Sequence, residues 1–157
     1  MNNWGFTSTT EEIRVQREII EHNFSWGDLD SRYATIYNTN CFCPFHENHN
    51  SPAAKMYEDE DTGLIVLHCF TERRRYTTYD YVKIILVERK KRYKDVWDFL
   101  EKNLSEQNLR ELVHLAKKKV ALEDETALEE KIEYINNLYN EYDDVVKFIN
   151  RLYLEKD

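Results

Sequence analysis

Two short cysteine-containing segments carry the residue types in this chain that are best suited to chemistry. Residues 41–50 read CFCPFHENHN, and residues 67–76 read LHCFTERRRY. In the first segment Cys43 and His46 are separated by two residues, the spacing of a tight metal-binding turn, and the second contributes Cys69. Thiolate and imidazole are the ligands that Zn²⁺ prefers in tetrahedral structural sites. The spacing therefore predicts one zinc ion per chain.

The fourth ligand of such a site is left open by the sequence. A strictly spaced second knuckle would place it at Glu72, which offers a carboxylate oxygen. Cys41 is the other candidate, because alternating side chains on an extended strand would put it on the same side as Cys43. His49 could also reach back from the loop. In the alternative interpretation there is no metal, the cysteines are small buried hydrophobes, and the histidines lie on the surface.

Cysteine number and apolar run length predict the compartment. The chain has three cysteines, an odd number, and the opening MNNWGFTSTTEE has no secretory pattern, so metal binding or burial is favoured over disulfides. The longest apolar runs, LIVL at 64–67 and IILV at 84–87, are too short to span a bilayer. We therefore expect a cytoplasmic protein that has no membrane partner.

Charge is unevenly distributed along the chain. The net charge is −8, yet residues 64–94 carry nine basic and three acidic side chains. Phosphate contacts depend on local Lys and Arg, and aromatic rings stack on unpaired bases for about 1–3 kcal/mol each. The sequence therefore predicts a surface for single-stranded DNA, formed by Arg73, Arg74, Arg75, Tyr76 and Tyr79. Alternatively, the tyrosines pack beneath the following helix and the arginines balance neighbouring acidic groups.

Periodicity and turn signals predict an α+β fold. A helix capped by Thr9 or Thr10 comes first, followed by strands at 33–42, 53–59 and 64–70, the last two forming a hairpin around Gly63. Helical spacing resumes at Tyr79. The expected architecture is a small antiparallel β unit flanked by helices and followed by an α-helical C-terminal half.

The C-terminal half shows helical spacing throughout. Ser105 can cap a helix, and two further helical stretches follow the segment ALEDET at 121–126, with apolar residues three and four apart. This pattern predicts a helical domain or hairpin, or a surface that binds a partner protein. The predicted domains are residues 1–92 and 93–157.

The two cysteine segments also resemble a known family. CPFHENHNSPAAKMY (43–57) followed by LHCFTERRRYTTYDYVKIIL (67–86) resembles the N-terminal zinc-ribbon domain of bacterial and phage DNA primases, and phage-type versions most closely. Cys43 to His46 match the family's Cys-Pro-x-His knuckle, and Cys69 with Phe70 matches the start of the second knuckle. The resemblance covers about residues 33–90. The family's last zinc cysteine corresponds to Glu72 or a neighbouring residue here.

The resemblance implies a zinc-ribbon-like β unit that handles a single-stranded DNA template during replication, in the bacterial host cell if a phage encodes it. It also makes a replication protein the expected partner of the C-terminal helices. No primase catalytic core is recognisable: the acidic clusters at 58–61 and 123–125 lack its setting, and no Gly-rich phosphate loop is present. We therefore expect a recognition module without catalytic activity of its own. The alternative is a zinc-depleted, primase-like regulatory or protein-interaction factor that acts through its acidic helical half.

Overall fold

The computed structural model describes residues 4–47 and 51–154. These residues form four antiparallel strands and five α-helices, joined by turns and loops. The strands are β1 (Asn40–Cys41), β2 (Ala54–Glu58), β3 (Ile65–Cys69) and β4 (Arg74–Tyr76). The helices are α1 (Thr9–Asn23), α2 (Trp26–Leu29), α3 (Thr78–Asp80), α4 (Val96–Asn103) and α5 (Glu106–Leu154), with a 3₁₀ turn at Ser31–Tyr33 and a π-helical segment at Tyr81–Arg89 that continues α3. The predicted α+β class is confirmed.

The sheet is a simple meander in which each strand pairs antiparallel with the next, in the order β1-β2-β3-β4. The predicted β2–β3 hairpin is present, and Gly63 in its turn has a φ of 72°, a left-handed conformation that glycine adopts without strain. Paired residues share a face, so the register defines two faces. The inner face carries buried side chains: Cys41, Ala54, Met56, Leu67, Cys69 and Tyr76. What we call the outer sheet face carries Lys55, His68 and Arg75 in one row.

Helix α1 packs against α3 and contributes to the core, since its Val15, Ile19 and Ile20 side chains are almost fully buried. The Ser8 hydroxyl caps the helix by accepting the Glu11 N–H at 3.1 Å, so the predicted cap at Thr9 or Thr10 is displaced by one residue or two. Helix α1 also contacts α4, because the Nε1–H of Trp97 donates a hydrogen bond to the Glu12 carboxylate at 2.6 Å.

The predicted strand at 33–42 is wrong for most of its length. Only Asn40 and Cys41 pair with β2, while Tyr33 ends the 3₁₀ turn. The reason is local: the Asp30 carboxylate caps that turn by accepting the Arg32 N–H at 3.0 Å, and the Tyr33 hydroxyl donates to the carbonyl of Phe42 at 3.0 Å. β-branched and aromatic composition favours a strand only where a pairing edge is available.

By contact density the chain divides into two compact units, Met1–Lys117 and Lys118–Asp157. Helix α5 continues without a break through ALEDET, where the sequence suggested separate helical stretches, because Ala, Leu and Glu are strong helix formers and the Thr126 hydroxyl bonds back to the Leu122 carbonyl at 3.0 Å. The predicted domain division after residue 92 concerns independent folding and stays a prediction. In the described residues no helix has the length and apolar character needed to cross a bilayer.

Asp30 joins three elements, and its replacement by asparagine is expected to lower the free energy of unfolding by about 1–2 kcal/mol at pH 7. Its carboxylate accepts bonds from the Arg32 guanidinium at 2.7 Å and from the Tyr81 hydroxyl at 2.8 Å. The Arg32 guanidinium, together with the Tyr81 hydroxyl, lowers the pKa of Asp30 from its ordinary 3.8 to about 2. Because the folded pKa lies below the unfolded one, this stabilisation is present above about pH 4 and is lost as the pH falls towards 2.

The measurement is urea unfolding of the wild type and Asp30→Asn at pH 7 and pH 2.5. The difference between the two proteins should shrink at the lower pH. Asp61→Asn, an exposed change in the β2–β3 turn, serves as the control. A difference that stays constant between the two pH values would contradict the assignment.

Candidate metal centre

The first knuckle begins immediately after β1, where the chain leaves the sheet edge. Cys43 is 2% exposed, and the Phe45 ring behind it stacks on the Tyr76 ring with centroids 3.8 Å apart. The Arg89 guanidinium donates to the Pro44 carbonyl at 3.4 Å. Ring stacking from β4 and a hydrogen bond from the π-helical segment therefore hold the knuckle against the rest of the fold.

The second knuckle begins where β3 ends. Cys69 is fully buried on the inner sheet face, and the Glu72 N–H donates to its sulfur at 3.4 Å. A backbone N–H aimed at a cysteine sulfur stabilises the thiolate form, which is the form that binds metals. The turn that brings this N–H into place passes through Arg73, whose φ of 54° lies in the left-handed region. The chain then enters β4.

The two knuckles bring three potential ligands together. The ligand atoms of Cys43, His46 and Cys69 all lie within 4.8 Å of one another, and His46 Nε2 is 3.0 Å from Cys69 Sγ. Tetrahedral zinc ligands lie roughly 3.5–4 Å apart at ordinary bond lengths. The cluster is therefore close enough to bind a metal ion.

The His46 ring is oriented for binding through Nε2. Its Nδ1 lies 2.9 Å from the Glu47 carbonyl oxygen, which can only accept, so Nδ1 carries the proton. A neutral ring with this proton would present its Nε2 lone pair to a metal ion beside the two sulfurs; without a metal, Nε2 and Cys69 Sγ are close enough to share a hydrogen bond. A ligating histidine whose other nitrogen donates to a carbonyl is the usual arrangement in metal sites.

The electrostatics of the two thiols differ. Burial raises the pKa of Cys43. Burial acts in the same direction on Cys69, but the Glu72 N–H, the His46 ring, the Cys43 thiol and the Thr71 N–H together outweigh it and lower the Cys69 pKa below its ordinary value. The hydrogen bond to the Glu47 carbonyl, reinforced by Cys69, raises the pKa of His46. Cys69 is thus the thiol best prepared to ligate as a thiolate.

Neither candidate for the fourth ligand belongs to the three-residue cluster. The nearer one is Glu72, whose Oε1 is 3.9 Å from His46 Nε2 and whose other oxygen accepts the Tyr76 hydroxyl. Cys41 shares a row with Ala54 and Cys69 on the inner sheet face, two strand spacings or about 10 Å from Cys69. The alternation argument for Cys41 depended on a strand that includes Cys43, whereas β1 ends at Cys41. The fourth ligand stays a prediction, with geometry favouring Glu72.

Two further histidines belong to the two cysteine-containing segments, His49 to the first and His68 to the second. His49 lies outside the described residues. His68 is on the outer sheet face. Its Nδ1 lies 3.2 Å from the Tyr57 hydroxyl, and the centroid of its ring lies 4.7 Å from that of Phe70. It faces away from the cluster, as strand alternation from Cys69 requires.

The three arginines predicted to contact DNA lie at the β3–β4 turn and along β4. Arg74 and Arg75 are more than half exposed; Arg74 packs over the Tyr76 ring at 4.6 Å, and Arg75 bonds to Asp59 at 3.3 Å. Arg73 is also exposed. All three guanidinium groups are therefore within reach of solvent.

The two tyrosines predicted to stack on bases are buried instead. Tyr76 and Tyr79 are each 2% exposed. Tyr76 points to the inner face because it pairs with Leu67, and Tyr79 lies under the cation of Arg17 at 5.0 Å. Their rings are part of the core, as the alternative interpretation held for these residues. Their role in DNA binding stays a prediction, but it would require the core to open.

The exposed aromatic rings beside the knuckles are instead those of Phe42 and Phe70, which the sequence pattern did not indicate. Phe70 is 52% exposed, stacks near His68, and lies on the same side as Lys55 and Arg75. Phe42, which precedes the first knuckle cysteine, is 51% exposed. Both phenylalanines adjoin a knuckle cysteine, Cys43 and Cys69. Alternation along β3 from the buried Cys69 would have identified the Phe70 ring as outward-facing.

Comparisons with known proteins leave this chain without a match: no protein-family model, no curated protein and no solved structure matches it significantly.

Proposed function

We propose that the protein is a zinc-binding module that recognises single-stranded DNA, of the type found in primases, and that it acts in replication without polymerising nucleotides itself. The observation that carries this proposal is the cluster of Cys43, His46 and Cys69, with ligand atoms within 4.8 Å. Two sulfurs and one imidazole nitrogen form a donor set that suits zinc better than magnesium or calcium, which prefer oxygen. The primase resemblance of the same two knuckles supplies the functional context.

The outer sheet face is the proposed DNA surface. Rings of Tyr57, His68 and Phe70 follow one another across it, with centroid separations of 6.2 Å and 4.7 Å. Lys55 and Arg75 flank His68 in the same row. Aromatic side chains beside cations fit a single strand, whose unpaired bases stack while phosphates pair with the charges. This surface takes over the stacking role first assigned to the buried tyrosines.

The test is fluorescence anisotropy of a labelled 20-nucleotide oligothymidine with the metal-loaded protein, from 50 to 200 mM salt. Phe70→Ala is expected to weaken binding about fivefold to a hundredfold, the equivalent of one lost stacking contact. Phe70→Tyr should bind like the wild type because it keeps the ring. Arg75→Ala should reduce the slope of log affinity against log salt by about 0.7.

Arg110→Ala is the matched charge control, because Arg110 is also exposed and bonded to a carboxylate, Glu106, but lies on α5. It should leave binding unchanged. Absence of binding by metal-loaded wild type, or equal loss in Arg75→Ala and Arg110→Ala, would contradict the proposed surface.

A second candidate function is a protein-interaction factor that has lost its metal. The observation that favours it is the number of large apolar side chains exposed on the second half of α5. It is distinguished from the first by metal content, because it requires the fold to persist without a metal ion.

A further inference from the structure

The second half of α5 carries a regular apolar seam. From Leu128 to Tyr153, eight consecutive positions at alternating spacings of four and three are apolar or aromatic; they are Leu128, Ile132, Ile135, Tyr139, Tyr142, Val146, Ile149 and Tyr153. Seven of the eight are exposed, from Ile149 at 47% to Tyr153 at 76%, and Val146 is half-buried. Four heptads of this kind are the pattern of a coiled coil, in which a second helix covers the seam.

We propose that this seam, residues 128–153, pairs with the same segment of a second copy of the chain as an antiparallel coiled coil. The inference is independent of the proposed DNA-binding function. The partner is a second copy of the chain, and the two helices run in opposite directions. Three properties of the segment support it: apolar area, pairing of side chains and distribution of charge.

The available area is sufficient for a stable dimer. The seam is about 39 Å long at the helical rise. The three flanking residues Leu138, Val145 and Leu152 are also about half exposed and widen it. With rings of about 150–250 Å² among these side chains, pairing of two copies would remove roughly 1,500 Å² from water, within the range of about 1,200–2,000 Å² for stable interfaces.

The antiparallel orientation pairs side chains of suitable size. Centring the seam on itself puts Ile132 of one copy opposite Ile149 of the other. The two tyrosines Tyr139 and Tyr142 then meet at the middle. On the flank, Leu138 faces Val145, so that an apolar residue meets an apolar residue. A parallel arrangement would instead place Leu138 beside Asp143 of the other copy, which leaves a carboxylate against apolar surface.

Charge favours the same orientation. Residues 127–134 carry three acidic and one basic side chain, whereas residues 147–154 carry two basic side chains, Lys147 and Arg151, and no acidic ones. An antiparallel pair places each acidic end beside the basic end of the other copy. A parallel pair would place like charges side by side at both ends, which is unfavourable. Arg151 lies two heptads beyond Asn137, on the side of the helix away from the seam, and Lys147 already pairs with Asp143 at 3.1 Å. This preference is therefore a long-range one between the ends of the two segments, and it weakens with salt.

The first test is sedimentation equilibrium of the full-length protein from about 1 to 100 µM. The wild type should fit a dimer mass at the upper end. Ile135→Lys should raise the dimer dissociation constant at least about a hundredfold, because each dimer would bury two unpaired ammonium groups. Asn137→Lys, a matched change two residues away on the opposite side of the helix, should leave the dissociation constant unchanged.

Orientation is tested by cysteine exchange. Equal amounts of Ile132→Cys and Ile149→Cys chains, mixed and oxidised, should give a disulfide between the two different chains, identified by peptide mass mapping. Ile132→Cys alone should not crosslink at position 132. A wild type that stays monomeric throughout, a dimer that resists Ile135→Lys, or crosslinking of Ile132→Cys to itself would each overturn the proposal. Circular dichroism of Ile135→Lys checks that the protein stays folded, because Ile135 lies in the second unit and its side chain is 62% exposed.

Discussion

Replacing Cys69 by serine is expected to abolish metal binding and to lower the free energy of unfolding by on the order of 3–5 kcal/mol, a fraction of the about 10–16 kcal/mol with which structural zinc binds finger peptides. Cys69 is fully buried and lies 3.0 Å from His46 Nε2. Its loss would remove the thiolate that the Glu72 N–H stabilises and the link between the two knuckles. The serine hydroxyl is a weak zinc ligand by comparison with a thiolate.

The measurement is metal content per chain by mass spectrometry, followed by denaturant unfolding with and without a chelator. Wild-type protein should contain one zinc ion per chain, and Cys69→Ser none. Cys41→Ser is the matched control, because Cys41 is also buried on the same sheet face but lies outside the cluster. Glu72→Gln tests the fourth position, and loss of metal in it but not in Cys41→Ser would identify Glu72 as the ligand.

The opposite outcome is equally definite. A wild type that purifies without metal, keeps its fold and is insensitive to chelators would mean that the site no longer functions. The primase-type proposal would then be withdrawn in favour of the protein-interaction factor.

The second large effect is expected at Tyr76, which joins both knuckles through its ring and its hydroxyl. Tyr76→Ala should lower the free energy of unfolding by about 3–5 kcal/mol, as truncation of a buried aromatic side chain does. The ring is 2% exposed and stacks on Phe45 of the first knuckle, while the hydroxyl donates to the Glu72 carboxylate of the second. Tyr76→Phe keeps the stacking and should cost only about 1 kcal/mol.

These values are measured by urea unfolding of the metal-loaded proteins. Metal affinity provides a second measurement, because Tyr76→Phe removes the hydrogen bond that orients Glu72 and should weaken binding about tenfold or more if Glu72 is the fourth ligand. Equal stability of the alanine and phenylalanine variants would show that the ring contributes little, contrary to this account.

The β2–β3 hairpin could be predicted from the sequence, because the apolar, branched run of β3 follows a glycine turn and β2 precedes it. Strand β4 could not, since its three residues, Arg74 to Tyr76, have no alternation long enough to recognise. The omission affected the predicted DNA surface. Without β4's register against β3, neither the inward direction of Tyr76 nor the outward direction of Arg75 could be deduced.

The metal cluster could be predicted as far as Cys43, His46 and Cys69, because a two-residue spacing within one knuckle restricts geometry regardless of what surrounds it. The fourth ligand could not, because it depends on where β1 ends. A strand two residues longer would have placed the Cys41 and Cys43 side chains on one face of the sheet. Because β1 ends at Cys41, alternation does not relate the two side chains. Local spacing is fixed by the chain, whereas the end of a two-residue strand is fixed by tertiary contacts such as the Tyr33 hydroxyl bond to Phe42.

The meander order of the sheet has a consequence for the entropy of folding. Each strand pairs with its neighbour in sequence, and the β2–β3 and β3–β4 turns are short, so closing these loops costs little chain entropy. The bond between Trp97 and Glu12 closes a loop of 85 residues and is the more demanding step. More chain entropy is therefore lost in bringing α4 back to α1 than in pairing the strands that carry the knuckles.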